Sequence, residues 1–193
     1  MVHIGEHSAA VDTDFISHVA DMHFPIEKTA SIFAKVMQEL GYEAIIHPLV
    51  YEKEILLEKQ KYFIVKGIIN LPTFEDLFSG DLEKKAYYTI LFAELFKKLN
   101  GVELDLGKID VFTYWKVKSS MGEAHTIAMC LVCGCGIFLS DDDDSKKLQL
   151  IVRNNALGSI TVYNRDECIS QLKERGETSL SKRERKAFTH KRI

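Results

Sequence analysis

The chain has 193 residues, of which 46% are hydrophobic and 27% charged, with a net charge of −3. That length fits one domain with a helical elaboration, and the apolar share can fill a substantial core. The near-balanced charge excludes a chain drawn to nucleic acid or membrane by bulk electrostatics. Its distribution is uneven, however: Gln171–Ile193 carries eight Lys/Arg against three Glu, or +5, which leaves −8 for the remainder. The N-terminus lacks the charged start and apolar stretch of a signal peptide. No apolar run nears the roughly 20 residues that span a bilayer, Thr126–Leu139 included. Cys130, Cys133 and Cys135 crowd into one apolar segment, unlike a disulfide framework, so a reducing cytoplasm and no membrane association are expected.

In chain order, Ser8–Val11 is small and apolar and reads as a buried strand ending at Asp12. A helical pattern runs from Phe15 to Met22. Pro25 fits the first turn of a second helix, with Ile32, Phe33, Val36, Met37 and Leu40 on one face and Gly41 ending it. Ala44–Ile46 has strand length, and Tyr51–Tyr62 reads as a charged helix. Ile68–Gly80 reads as a loop or short turns around Pro72, and Leu82–Leu99 as a strong helix closed by Asn100–Gly101. Ala124–Cys133 is helical, broken by Gly134 and Gly136, and Gly136–Ser140 is a strand. Lys146–Asn155, a strand at Ser159–Tyr163 and a helix at Asp166–Arg175 complete the pattern. Strands separated by helices predict an α/β fold, a three-layer α/β/α sandwich around a mostly parallel sheet.

In open parallel sheets, ligands bind beyond the carboxyl ends of the strands. Four separate stretches send carboxylates to that edge. Asp12 ends the first strand, Glu52 and Glu54 follow the second, Glu123 opens a helix, and Asp141 and Asp142 follow a later strand. Glu52 and Glu54 diverge by about 200° on a helix, so one of them points inward. Glu54, before the apolar Ile55–Leu57, is preferred and Glu52 is held as the substitute. Two carboxylates about 5 Å apart repel by roughly 3 kcal/mol at an effective dielectric of about 20. Such a cluster therefore takes up protons or a cation. All-oxygen ligation suits Mg²⁺ or Mn²⁺, which leave room for a phosphate. A lone Asp after a strand is usually a turn or cap residue; the combination is what points to a metal.

These residues give the chain a resemblance to PIN-domain proteins. It rests on Ala10–His18 (AVDTDFISH), His47–Ile55 (HPLVYEKEI), Met121–Gly134 (MGEAHTIAMCLVCG) and Ile137–Leu148 (IFLSDDDDSKKL), in that order. The resemblance implies a PIN-like domain over 1–176 with extra helices at about 56–110, followed by a basic tail at 177–193. It implies a metal-dependent endoribonuclease acting on single-stranded RNA, with Asp12, Glu54, Glu123 and Asp142 as the site acids. Asp12, Glu123 and Asp142 would hold Mg²⁺ or Mn²⁺, with Asp141 as an alternate or second ligand and Asp14 disfavoured. Many such proteins are toxins paired with an antitoxin protein, and a homodimer is a further possible assembly. The chain departs from the compact toxin type by its extra helical material. A non-catalytic PIN-like module binding RNA or protein is the alternative, and a phosphatase-like hydrolase using Asp12–Thr13–Asp14 is a third reading.

Lys182, Arg183, Arg185 and Lys186, with His190, Lys191 and Arg192, form a basic stretch suited to RNA phosphates or to a plain solvated helix end. Cys130-x-x-Cys133-x-Cys135 lacks a second ligand pair for zinc and is expected to be buried structural thiols. His18, His23 and His47 show no metal spacing, and His125 is expected to face solvent or cap a helix. Phe112, Tyr114 and Trp115 are expected in the core rather than stacked on a base.

Overall fold

The computed structural model describes residues 4–116, 120–176 and 178–189. Five strands form one sheet: β1 (Ser8–Val11), β2 (Glu43–Ile45), β3 (Ile69–Asn70), β4 (Ile137–Leu139) and β5 (Thr161–Tyr163). Their order is β3-β2-β1-β4-β5 and every pairing is parallel. The helices are α1 (Thr13–Ala20), α2 (Ile26–Leu40), α3 (Pro48–Glu54), α4 (Glu58–Val65), α5 (Phe74–Phe78), α6 (Leu82–Asn100), α7 (Met121–Cys133), α8 (Asp143–Asn154), α9 (Arg165–Glu174) and α10 (Lys182–Thr189).

Alternation along β1 assigns the two faces. Ala9 and Val11 face a core built with Phe15, Phe33, Phe63, Ile169 and Phe188, from α1, α2, α4, α9 and α10. Ala10 faces a second core with Tyr88, Phe92, Ile127 and Val152, from α6, α7 and α8. Both faces of a parallel sheet are thus covered, which is why its strands read as unbroken apolar runs. The small Ala9 and Ala10 let helices approach the central strand closely. Among the described residues, no helix is long and apolar enough to cross a membrane.

Most expected elements appear close to their expected bounds, and Gly41 ends α2 in the left-handed region at φ +79°, where a Cβ is strained. Two differences have local causes. The charged helix expected over Tyr51–Tyr62 is two helices, because the chain leaves α3 at Ile55, whose side chain enters the core. Gln60 then starts α4: its carbonyl accepts the Leu57 N–H at 3.0 Å, and its amide donates to Ser17 Oγ at 2.6 Å. The loop expected over Ile68–Gly80 contains β3 and α5. A two-residue edge strand has no periodicity of its own and exists through its pairing with Ala44 and Ile45.

The C-terminal segment folds back on the body. Phe188 is fully buried against Phe15, with ring centroids 6.1 Å apart, and Lys28 pairs with Glu184. Ser181 caps the start of α10, accepting the Glu184 N–H at 3.2 Å. His190, Lys191 and Arg192 lie outside the described residues.

Phe33, whose ring meets those of Phe15 and Phe63, joins α1, α2 and α4. Phe33→Ala is expected to cost about 3–5 kcal/mol, read as a lower urea midpoint in equilibrium unfolding.

Candidate metal centre

The strand order reverses between β1 and β4. From β1 the chain moves outward through β2 to β3, then returns to lay β4 against the other side of β1. Helices diverge above such a switch point and leave a crevice beyond the carboxyl ends of the strands. The two strands are linked there by the Asp12 N–H, which donates to the Leu139 carbonyl at 2.9 Å.

Asp12 is the N-cap of α1, and its Oδ1 accepts the Thr13 N–H at 2.8 Å. Its Oδ2 accepts the Ser140 hydroxyl at 2.8 Å. Ser140 is itself buried and accepts from Ser145 Oγ at 2.8 Å and from the Asp142 N–H at 3.2 Å. One serine just past β4 therefore fixes both the carboxylate after β1 and the backbone carrying Asp142. Glu54 ends α3, and its Oε2 accepts the Thr13 hydroxyl at 2.6 Å. Glu123 lies in the first turn of α7, whose positive end stabilises a carboxylate.

Gly122 explains how α3 and α7 meet. A Cβ at this position would stand 2.8 Å from Glu54 Oε1, closer than atoms pack. Glycine lets the Glu54 carboxylate lie against the start of α7, beside Glu123. Glu52 instead is exposed and pairs with Lys53, so of the two candidates Glu54 is the one that joins the cluster.

The electrostatics follow from burial of like charges. Burial raises the Asp12 carboxyl to about 8, with further increments from Glu123, Asp14 and Glu54 partly offset by the Ser140 hydrogen bond. Burial also raises Glu123 to about 7, and Glu54, Asp142 and Asp14 add to it. Glu54 is raised by burial and by Asp14, against the Thr13 hydrogen bond. These couplings bring Asp12, Glu54, Glu123 and Asp142 into one field. They also bring in Asp14, which sequence reasoning disfavoured because it does not directly end the strand. The signal for it was present: in the first turn of a helix that starts at the strand end, Asp14 stays at the same edge.

Asp141 turns away from this group. Its side chain is almost fully buried, with Oδ1 accepting the Arg165 N–H at 3.1 Å and Oδ2 accepting Arg165 Nε at 2.5 Å. His18 Nδ1 lies 2.7 Å from the same Oδ2. Arg165 Nη1 in turn donates to the Phe188 carbonyl at 3.0 Å. The expected alternate ligand thus anchors α9 and α10. An isolated Ser-Asp-Asp run cannot tell which acid meets a buried guanidinium 24 residues later.

The basic residues of α10 are not gathered at the acids. Ser179 bonds Glu39 at the end of α2, near the amino ends of the strands, whereas Phe188 reaches Arg165 beside Asp141. Lys182, Arg183 and Arg185 occupy the half of α10 farther from the acids, and Lys186 comes nearer. Arg183 lies over the Phe24 ring and Arg185 donates to the Leu180 carbonyl. His125, expected at the surface or in a cap, is fully buried instead, because the next helix face packs on α6. Cys130 and Cys135 are buried, as expected, whereas Cys133 at the end of α7 is only partly buried; all four cysteines are free thiols.

The donor set, all carboxylate and crowded enough to hold protons near neutral pH, has the chemistry of a hard divalent-cation site. Among the described residues, no three His, Cys, Asp or Glu side chains are drawn together closely enough to clasp an ion. The acids stand within electrostatic range without the convergence of a closed coordination shell. No protein-family model, curated protein or solved structure matches the chain.

The raised pKa values set a pH dependence. Folded Asp12 and Glu123 keep their protons to higher pH than the unfolded chain does. Their contribution to stability is therefore full below pH 4 and is lost progressively up to about pH 8. In EDTA, the protein is expected to melt at a lower temperature at pH 8.5 than at pH 5.5, and Asp12→Asn to shrink that difference. Equal melting temperatures for the wild type at both pH values would contradict the buried-acid account.

Breaking the Asp141–Arg165 pair gives a second test. Arg165→Leu leaves Asp141 without its buried cation and undocks the Phe188 carbonyl. A loss of about 3–5 kcal/mol is expected by chemical denaturation.

Proposed function

We propose that this protein is a PIN-like, metal-dependent endoribonuclease that hydrolyses phosphodiester bonds of single-stranded RNA. The observation that carries the reading is five carboxylates, from four stretches of the chain, within electrostatic range of one another at the β1/β4 switch point, with Asp12 and Glu123 raised into the neutral range. A fold does not retain so much like charge in one crevice for stability, since any one of these acids would be easier to bury as an amide. The order of the four motifs supports RNA as the substrate, and a toxin role with an antitoxin partner belongs to the same reading.

Asp12, Glu123 and Asp142 would hold Mg²⁺ or Mn²⁺, with Glu54 and Asp14 beside them. When bound, the cation supplies positive charge that relieves the carboxylates and offsets the charge of the phosphate. Asp12 is kept in place by the Thr13 N–H and the Ser140 hydroxyl, so its carboxylate does not turn when charge enters the crevice. Glu54, outside that ligand set, is the carboxylate that would take the proton of a water as that water's oxygen adds to phosphorus. The bond to the ribose oxygen opposite the attacking water then breaks, and that oxygen takes a proton from solvent. Glu54, tethered by Thr13, completes the negative wall that orients the water.

Purified protein with Mn²⁺ is expected to cleave a single-stranded RNA oligonucleotide, with EDTA stopping the reaction and Asp12→Asn reducing its rate at least a hundredfold. Cleavage that survives both would sink the proposal. Absence of cleavage and of any Mn²⁺ effect on melting would favour a non-catalytic binding module.

Gly122→Ala separates the site from the fold. The new methyl meets only the far end of Glu54, and alanine is the better helix former by about 1 kcal/mol. Stability by thermal unfolding is expected to be equal or higher, while Mn²⁺-dependent cleavage falls because Glu54 is displaced.

A further inference from the structure

Behind the acids, on the α6/α7 side of the sheet, three polar side chains are fully buried: His47, Tyr88 and His125. Buried polar groups persist only when their hydrogen bonds are made. These make theirs with one another, in a line. The Leu49 N–H meets His47 Nδ1 at 3.2 Å, and His47 Nε2 lies 2.8 Å from Tyr88 Oη. Tyr88 Oη lies 2.7 Å from His125 Nδ1, and His125 Nε2 lies 3.1 Å from the Tyr114 carbonyl.

The two ends force the direction of the whole line. A backbone N–H only donates, so His47 Nδ1 carries a lone pair and its neutral ring has its proton on Nε2. That N–H donates to the Tyr88 oxygen, and the hydroxyl donates its single hydrogen to His125 Nδ1. His125 then carries its proton on Nε2 and donates to the Tyr114 carbonyl, which only accepts. A proton added to His47 would set N–H against N–H, and one added to His125 would leave the Tyr88 hydrogen without an acceptor. Full burial of both rings, away from water that could solvate a charge, favours the same neutral state. Phe92, stacked on His125 at 4.0 Å, and the near-parallel Trp115 ring at 6.1 Å keep that imidazole from turning.

The line joins the two helices whose spacing decides the acid cluster. His47 caps the start of α3, which ends in Glu54, and His125 lies two residues beyond Glu123 on α7. At the acids, the Glu54 carboxylate at the end of α3 occupies the space beside Gly122 that a methyl group would take. We infer that Tyr88 is a positioning residue for the proposed metal centre: its hydroxyl, bridging His47 and His125, fixes α3 against α7 and so holds Glu54 beside Glu123. This rests on the metal-site reading above. Tyr88 touches neither metal nor RNA; it acts through the two histidines and the helices that carry them.

The test is Mn²⁺ affinity by calorimetric titration of the full chain, as wild type, Tyr88→Phe and Val36→Ala. Val36 lies in the core on the opposite face of the sheet, so Val36→Ala reports what loss of stability alone does. Tyr88→Phe is expected to weaken Mn²⁺ binding roughly tenfold to a hundredfold, the usual range for groups that orient metal ligands. Val36→Ala is expected to melt earlier with unchanged affinity. Wild-type affinity in Tyr88→Phe overturns the inference alone, as does an equal loss in Val36→Ala. A wild type that binds no Mn²⁺ overturns the metal reading and this inference with it. Should Tyr88→Phe not fold, His47→Gln, which keeps a donor toward the hydroxyl, is expected to retain more affinity than His47→Leu; an equal loss overturns the inference. Independently, nitrogen NMR of the wild type at pH 7 is expected to find both imidazoles protonated at Nε2 only, and a proton on Nδ1 of either ring overturns it.

Discussion

Buried like charge at the β1/β4 switch point is the constraint around which this structure is arranged. The Asp12 carboxylate is placed where two parallel strands end side by side, and three other elements bring acids toward it. Each contact near it reduces the cost. The Thr13 N–H and the Ser140 hydroxyl bond its two oxygens, the Thr13 hydroxyl bonds Glu54, and the positive end of α7 lies under Glu123. These do not cancel the repulsion, since Asp12 and Glu123 still titrate near 8 and 7. The residual imbalance is what a divalent cation would remove.

The molecule deals differently with its two adjacent acids after β4. Asp142 adds its charge to the field at Glu123, whereas Asp141 is given a buried arginine and a histidine. One backbone step separates an acid left within a field of other acids from an acid locked into a structural pair. The second environment also ties the last helix to the body, because Arg165 spends one guanidinium N–H on the Phe188 carbonyl. Helix α10 is therefore part of the packed structure, and its basic residues lie mostly away from the acids.

Two contacts set the spacing of α3 and α7. At the front, Gly122 leaves the Glu54 carboxylate a place beside α7 from which a side chain would displace it. Behind, His47, Tyr88 and His125 carry a one-way run of hydrogen bonds through a core otherwise lined by Phe92, Phe112 and Trp115. A neutral network of this kind tolerates little rearrangement, because every hydrogen has a single place to go. It gives the crevice a stiff rear wall.

By itself the sequence determined the layered α/β character, since apolar strands of three or four residues alternating with amphipathic helices bury their surface only in that way. It also determined which acids lie at the carboxyl edge, because Asp12, Glu123 and Asp142 are adjacent to strand or helix ends that periodicity locates. What it could not hold is anything fixed by groups far apart in the chain. The choice of Glu54 over Glu52 depends on Gly122, the loss of Asp141 depends on Arg165, and the gain of Asp14 depends on the field of Glu54 and Glu123. The two-residue β3 exists only beside β2, and the break between α3 and α4 exists only because Ile55 finds a core to enter. His47 and His125 carry no spacing signal at all, being 78 residues apart, and only packing α6 between them gave each a partner. Local pattern fixes where a side chain starts; the tertiary structure decides what it meets.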